Sequence, residues 1–156
     1  EYSDYKLAKE NIKLETDKLI SNGILNYGEV NNIDINRLSI FYNSKLMSRI
    51  LNSDKILREY RFTVDIKASM LNNNIDDSLK DELVVLQGAI DCVIIENNKA
   101  VIIDYKTDKV ANSQVLAKRY SKQLRLYKYA LEKSLNIEVK ECILYSIYNN
   151  KEVVVI

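Results

Sequence analysis

The chain has no histidine and no proline, and only three glycines and two cysteines in 156 residues. Without histidine, Ser-His-Asp triads and His-ligated metals are excluded for these residues. Two cysteines cannot build a four-ligand zinc or iron–sulfur site. Cys92 and Cys142 both lie in apolar, strand-like runs and read as small buried hydrophobes. No apolar run approaches the roughly eighteen residues of a membrane-spanning helix, and the chain does not open with a signal peptide. A Gly-x-x-x-x-Gly-Lys-Ser/Thr loop is missing too, so ATP hydrolysis of that type is not expected of these residues. With proline gone and glycine scarce, asparagine takes over the punctuation at Asn72-Asn73-Asn74, Asn97-Asn98 and Asn149-Asn150. Asparagine tolerates the left-handed backbone that tight turns demand.

What remains is ordinary for a soluble globular domain, with 47% hydrophobic and 29% charged residues. A chain of this length forms one domain that buries roughly two-thirds of its unfolded surface. It opens on Glu1-Tyr2-Ser3, without Met and inside an apparent helix, so a piece of a longer protein is expected. A reduced, cytoplasmic setting follows from the cysteine usage. The net charge of +1 creates no global field for nucleic acid. The distribution is uneven, however: from 109 to 131 lie Lys109, Lys118, Arg119, Lys122, Arg125 and Lys128 with no acidic residue. Such a stripe suits a phosphate backbone.

Periodicity predicts a helix over 5–21 ending at Asn22-Gly23, and a second from Asp34 as its cap to about Leu51. A strand is expected over 55–68 and a polar loop over 70–82. Apolar, β-branched runs at 83–95 and 100–105 flank the tetrad Glu96-Asn97-Asn98-Lys99 and predict an antiparallel hairpin. A helix over 113–135, capped by Ser113, and strands at 138–147 and 151–156 complete the chain. The order implies an α/β architecture in three layers, a mixed sheet flanked by helices.

Within the hairpin stands Gly88-Ala89-Ile90-Asp91, followed thirteen residues after Asp91 by Asp104-Tyr105-Lys106-Thr107. Alternation puts Asp104 and Lys106 on one face, with Tyr105 turned away. If Asp91 shares that face, two carboxylates and an ammonium converge. A bare carboxylate pair in an apolar sheet raises one pKa or needs a cation between its members. Mg²⁺ suits the place, being oxygen-seeking and commonly held by one or two carboxylates with waters and a phosphate. The plainer reading is an Asp–Lys ion pair at a sheet edge. Gln123 and Tyr127, four apart on the 113–135 helix, project together on the stripe of Leu116, Tyr120, Leu124 and Leu131. A buried glutamine needs a partner, which implies a directed hydrogen bond into the site. Lys118, Lys122 and Arg125 fall on the outward face, either solvated, on DNA or against another part of a longer parent protein.

Gly88-x-x-Asp91, Asp104-Tyr105-Lys106-Thr107 and Gln123-x-x-x-Tyr127, in that order, resemble the signature of RecB-type nucleases within the PD-(D/E)xK superfamily. The run from Val84 to Tyr145 looks most like the C-terminal nuclease domain of the AddA type of helicase–nuclease. Ile33-Asp34, Phe41-Tyr42 and Arg58-Glu59-Tyr60-Arg61-Phe62 fit the same domain, so the resemblance covers nearly the whole chain. It implies a restriction-endonuclease-like core and an Mg²⁺-dependent (or Mn²⁺-dependent) DNA exonuclease acting in double-strand-break repair. Asp91, Asp104 and the Tyr105 backbone carbonyl would be its metal ligands, and Lys106, Gln123 and Tyr127 would complete the catalytic set. Glu59 matches a family acidic position on the first strand. Implied partners are DNA, the helicase portion of a parent chain and an AddB-type second subunit. The two cysteines argue against relatives with a four-cysteine cluster, AddB included. RecB-type nucleases usually carry a metal-binding histidine on an upstream helix, and this chain has none. That segment is expected outside these residues, with low cleavage by them alone. A stand-alone or phage-type exonuclease, or a degenerate nuclease fold used for DNA binding or subunit docking, are the alternatives.

Overall fold

The computed structural model describes residues 3–72 and 74–156. Glu1, Tyr2 and Asn73, and with them the expected helical opening and the middle of the Asn72–Asn74 triplet, lie outside the described residues. Helix ends are set by short polar side chains. Asp4 Oδ1 accepts from the Lys6 and Leu7 N–H groups to start α1 (Tyr5–Glu10). Asn11, extended at φ −154°, ends α1 and caps α2 (Ile12–Ser21) through Leu14 N–H. The helix expected over 5–21 is therefore two, because an asparagine in the apolar pattern bonds locally and interrupts it. Gly23, at φ +70°, closes α2 as anticipated, its N–H donating to the Ile20 carbonyl.

After the single turn α3 (Tyr27–Val30), Asp34 caps α4 (Ile35–Tyr42) through Arg37 N–H at 3.1 Å, as its sequence predicts. The helix expected to run on to Leu51 stops at Asn43, and Ser44 caps a separate α5 (Lys45–Leu51). Then come β1 (Lys55–Lys67), a short α6 (Ala68–Leu71), a 3-10 turn (Asp77–Leu79) and β2 (Leu83–Glu96). The 70–82 loop is thus partly helical. β3 (Lys99–Lys106), α7 (Gln114–Leu135), β4 (Val139–Ser146) and β5 (Lys151–Val154) follow. Ser113 makes no capping bond; Asn112 Oδ1 does that work, accepting from Gln114 N–H at 2.9 Å. No described helix is long and apolar enough to cross a membrane.

The five strands form one sheet in the order β1-β2-β3-β4-β5. β3 and β4 pair in parallel, joined by the α7 crossover, and the other neighbours are antiparallel. Leu116, Leu124 and Leu131 of α7 pack with Phe62, Val64, Ile66, Ile102 and Leu144 on one face. Phe41, Leu46, Met47 and Ile50 of α4 and α5 pack with Cys92, Ile94, Val101 and Ile143 on the other. The mixed sheet between two helical layers is the architecture the sequence predicted. Asn97 (φ 51°) and Asn98 (φ 61°) form the two-residue turn of the β2–β3 hairpin, which matches the strand twist only with both residues left-handed.

One irregularity bears on the site. Leu57 and Val93 face α7, but so do Tyr60, Phe62 and Ile90, whose positions have the opposite parity. The alternation therefore resets between them. The reset coincides with Glu59, left-handed at φ 52°, and the register steps from Arg58↔Cys92 to Tyr60↔Ile90 with no Glu59–Asp91 pair.

Candidate active site

Asp91 and Asp104 are the next positions on the two strands beyond Cys92↔Ile103, where the β2–β3 ladder ends. Counted from the two-residue turn, a continued ladder would send the Tyr105 N–H to the Ile90 carbonyl. It donates instead to Asp91 Oδ2 at 2.9 Å. The Asp91 carboxylate thus substitutes for the ladder at the point where the strands part. Lys106 follows Asp104 on the same face, and its Nζ lies 2.5 Å from Asp104 Oδ2. The three groups of the sequence expectation are together at the carboxyl end of β3.

Asp104 is the most enclosed of them, its side chain 3% exposed against 14% for Lys106. Burial pushes the Asp104 carboxyl above the ordinary carboxylate range; the Lys106 ammonium opposes this and the Asp91 charge adds to it. The Lys106 ammonium, paired with Oδ2 at 2.5 Å, is the one partner that this buried oxygen has among the described residues. A buried carboxylate with a second carboxylate beside it and a single ammonium partner has room for a further cation.

On the α7 side, Gln123 Nε2 donates to Tyr127 Oη at 2.7 Å and Lys106 Nζ donates to Gln123 Oε1 at 3.5 Å. The directed hydrogen bond expected of Gln123 is thus present and leads to Lys106. Burial raises the Tyr127 phenol, against the Gln123 bond, so it stays protonated at neutral pH. Gly88 supplies room: a Cβ there would lie 2.7 Å from Phe62 Cζ. The helix stripe marks Tyr120 only as core, yet the Lys106 ammonium sits 4.2 Å above its ring centroid. Its hydroxyl donates to Asp108, which also pairs with Arg119. The signal available was spacing, since Tyr120 falls three residues before Gln123 on the same stripe. Glu59 is exposed, and the β1–β2 pairing skips it together with Asp91. Lys118, Lys122 and Arg125 are exposed as expected, and Lys122 donates to the Leu71 carbonyl.

Among the described residues no group of three or more Asp, Glu, His or Cys side chains is placed to hold a metal. The donor set at hand is two carboxylates, one of them buried and raised by the charge of the other, and that fits Mg²⁺, which keeps waters and takes a substrate phosphate. Zinc or a cluster would need ligands that are not here.

An α/β/α sandwich with an Asp, Asp and Lys converging at the end of one hairpin has the layout of a nuclease core. The model of the PD-(D/E)XK nuclease superfamily matches residues 41–153, and the chain belongs to that superfamily. It is also similar to AddA, the ATP-dependent helicase/nuclease chain of Clostridium acetobutylicum, at 31% identity over 144 residues. That match covers 91% of this chain and 12% of the relative. The corresponding helicase/nuclease of Ligilactobacillus salivarius is 35% identical over 143 residues, covering 91% of this chain and 11% of the relative. The chain therefore spans about an eighth of these relatives' length, in the region resembling their nuclease portion. Among solved structures, the crystal structure of SSO0001 is similar at a TM-score of 0.45 and 16% identity, over 94% of this chain and 59% of that one.

Proposed function

We propose that this chain is the nuclease portion of an AddAB-type helicase–nuclease, hydrolysing DNA phosphodiesters from a strand end during double-strand-break repair. The observation that supports this most is the approach of Asp91 to the buried Asp104 just past the end of the hairpin ladder, close enough for its charge to raise the Asp104 carboxyl. Those carboxylates, with the Tyr105 backbone carbonyl, would hold Mg²⁺ or Mn²⁺. When bound, the cation would polarise the scissile phosphate and lower the pKa of its water. Lys106 then balances the charge that develops on the phosphate, held in place by Asp104, the Tyr120 ring and Gln123. Tyr127 fixes the Gln123 amide, so its loss frees Lys106 rather than removing a reacting group. Glu59 is a further acid candidate, and Lys118, Lys122 and Arg125 would meet the backbone of the strand. A helicase portion and an AddB-type subunit would be the protein partners.

The test has two readouts. Calorimetric titration of Mg²⁺ and Mn²⁺ into this chain should show a binding event that Asp91→Ala and Asp104→Ala abolish, and that Glu59→Gln weakens less. In a full-length helicase–nuclease carrying this domain, Asp104→Ala should stop DNA cutting and spare ATP hydrolysis. Retained cutting by that variant refutes the assignment.

A further inference from the structure

A recess of about 320 Å³ opens beside the Gln123–Tyr127 pair. Phe62, Leu86, Leu126 and Tyr127 form its walls, with Gln87 and Lys122 also lining it. Gln123 is a shared wall: its amide nitrogen holds Tyr127 at 2.7 Å and its oxygen lies 3.5 Å from Lys106 Nζ. The recess therefore begins one side chain away from the Asp104–Lys106 pair. Its chemistry differs from that of the reaction centre, being apolar and aromatic, with no carboxylate in the lining and one lysine.

A nucleic acid strand offers two kinds of surface. The sugar–phosphate chain is charged and seeks cations, amide donors or a metal. The bases are flat, mostly apolar and edged with hydrogen-bonding groups. Only the second kind suits walls of Phe62, Tyr127, Leu86 and Leu126 beside the Gln87 amide. We propose that this recess is a nucleobase subsite, taking an unpaired base of the substrate strand next to the phosphate held by Asp91, Asp104 and Lys106. This rests on the nuclease reading above and deepens it. A base stacked and paired in a duplex cannot enter such a recess, whereas a strand whose bases are already unpaired enters without the cost of extrusion. The subsite thus selects single-stranded DNA and sets which nucleotide stands at the cutting position.

The experiment is an abasic scan. Fluorescent oligothymidylates, identical except for one abasic position moved along the strand, are titrated into the unmodified chain, with Ca²⁺ as the oxygen-seeking cation. One position should bind about tenfold more weakly than the intact strand, the range of a single lost base stack. Leu126→Asp, a half-buried helix position, should weaken intact strand to the abasic level and flatten the scan, with circular dichroism checking the fold. Equal affinity at every abasic position, with Mg²⁺-dependent cutting retained in a full-length protein carrying this domain, overturns the subsite and leaves the nuclease reading standing. Failure of every strand to bind, intact or abasic, overturns both.

Discussion

Phe62 meets Tyr127 edge to face, with ring centroids 5.7 Å apart and planes at 74°. Because Phe62 lies over Gly88 and Tyr127 holds Gln123, a change in β2 reaches Lys106 through two rings and an amide. Gly88→Ala should cost about 1–3 kcal/mol, the usual penalty for overpacking. Its Cβ would stand 2.7 Å from Phe62 Cζ, and the ring must yield. Denaturant unfolding measures the loss. The double variant Gly88→Ala/Phe62→Leu should recover part of it, and strict additivity of the two changes would rule out the coupling.

Divalent cation should stabilise the chain in proportion to its occupancy. With ligand at about a hundred times its Kd, mass action adds about 2.7 kcal/mol. The midpoint of thermal unfolding should therefore climb with Mg²⁺ or Mn²⁺, and Asp104→Asn should abolish the climb. A rise of the same size in that variant places the cation elsewhere.

Glu96 gives the chain a pH-dependent brace far from the site. Bonds from the Arg49 guanidinium, at 2.9 and 3.0 Å, pull its carboxyl down to about 2, with Lys140 helping and burial opposing. A folded-state value below the ordinary one near 4.5 means stability fully present above the ordinary value and lost as pH falls toward the depressed one. Stability should therefore fall between about pH 4.5 and pH 2. Glu96→Gln should be less stable than the parent at pH 7, with the gap closing at about pH 2. A constant gap across that window contradicts the linkage.

Glu59 holds a left-handed backbone that side chains with a Cβ disfavour. Glu59→Gly should raise stability by about 1 kcal/mol, read by denaturant unfolding. An unchanged or lowered midpoint means that the side chain, not the bend, matters there.

Much of this arrangement was legible in the residues. Asn97-Asn98 between β-branched runs announces a hairpin, and the hairpin's register then brings Asp91 and Asp104 to adjoining positions just past the last ladder pair. Strand alternation alone pairs Asp104 with Lys106. The helix breaks were not legible, because Asn11 and Ser44 sit inside patterns whose apolar spacing continues across them. Nor was the reset at Glu59, since no glycine or proline marks the left-handed residue; the long β1–β2 pairing imposes it on an ordinary side chain. Tyr120 escaped for another reason: a buried ring on a helix stripe looks the same whether it packs on leucine or on an ammonium.

The two acids and their lysine belong to a hairpin closed by two residues, whereas Gln123 and Tyr127 arrive on a 22-residue crossover between parallel strands. Local closure of that kind proceeds in about 1–10 μs, while parallel pairing waits on long-range loop entropy. On those rates the acidic half of the centre should assemble before the helical half. Given the proposed metal site, a cation present from the start would meet its carboxylates before the helical half is in place, and would act on the rate of folding as well as on its end point.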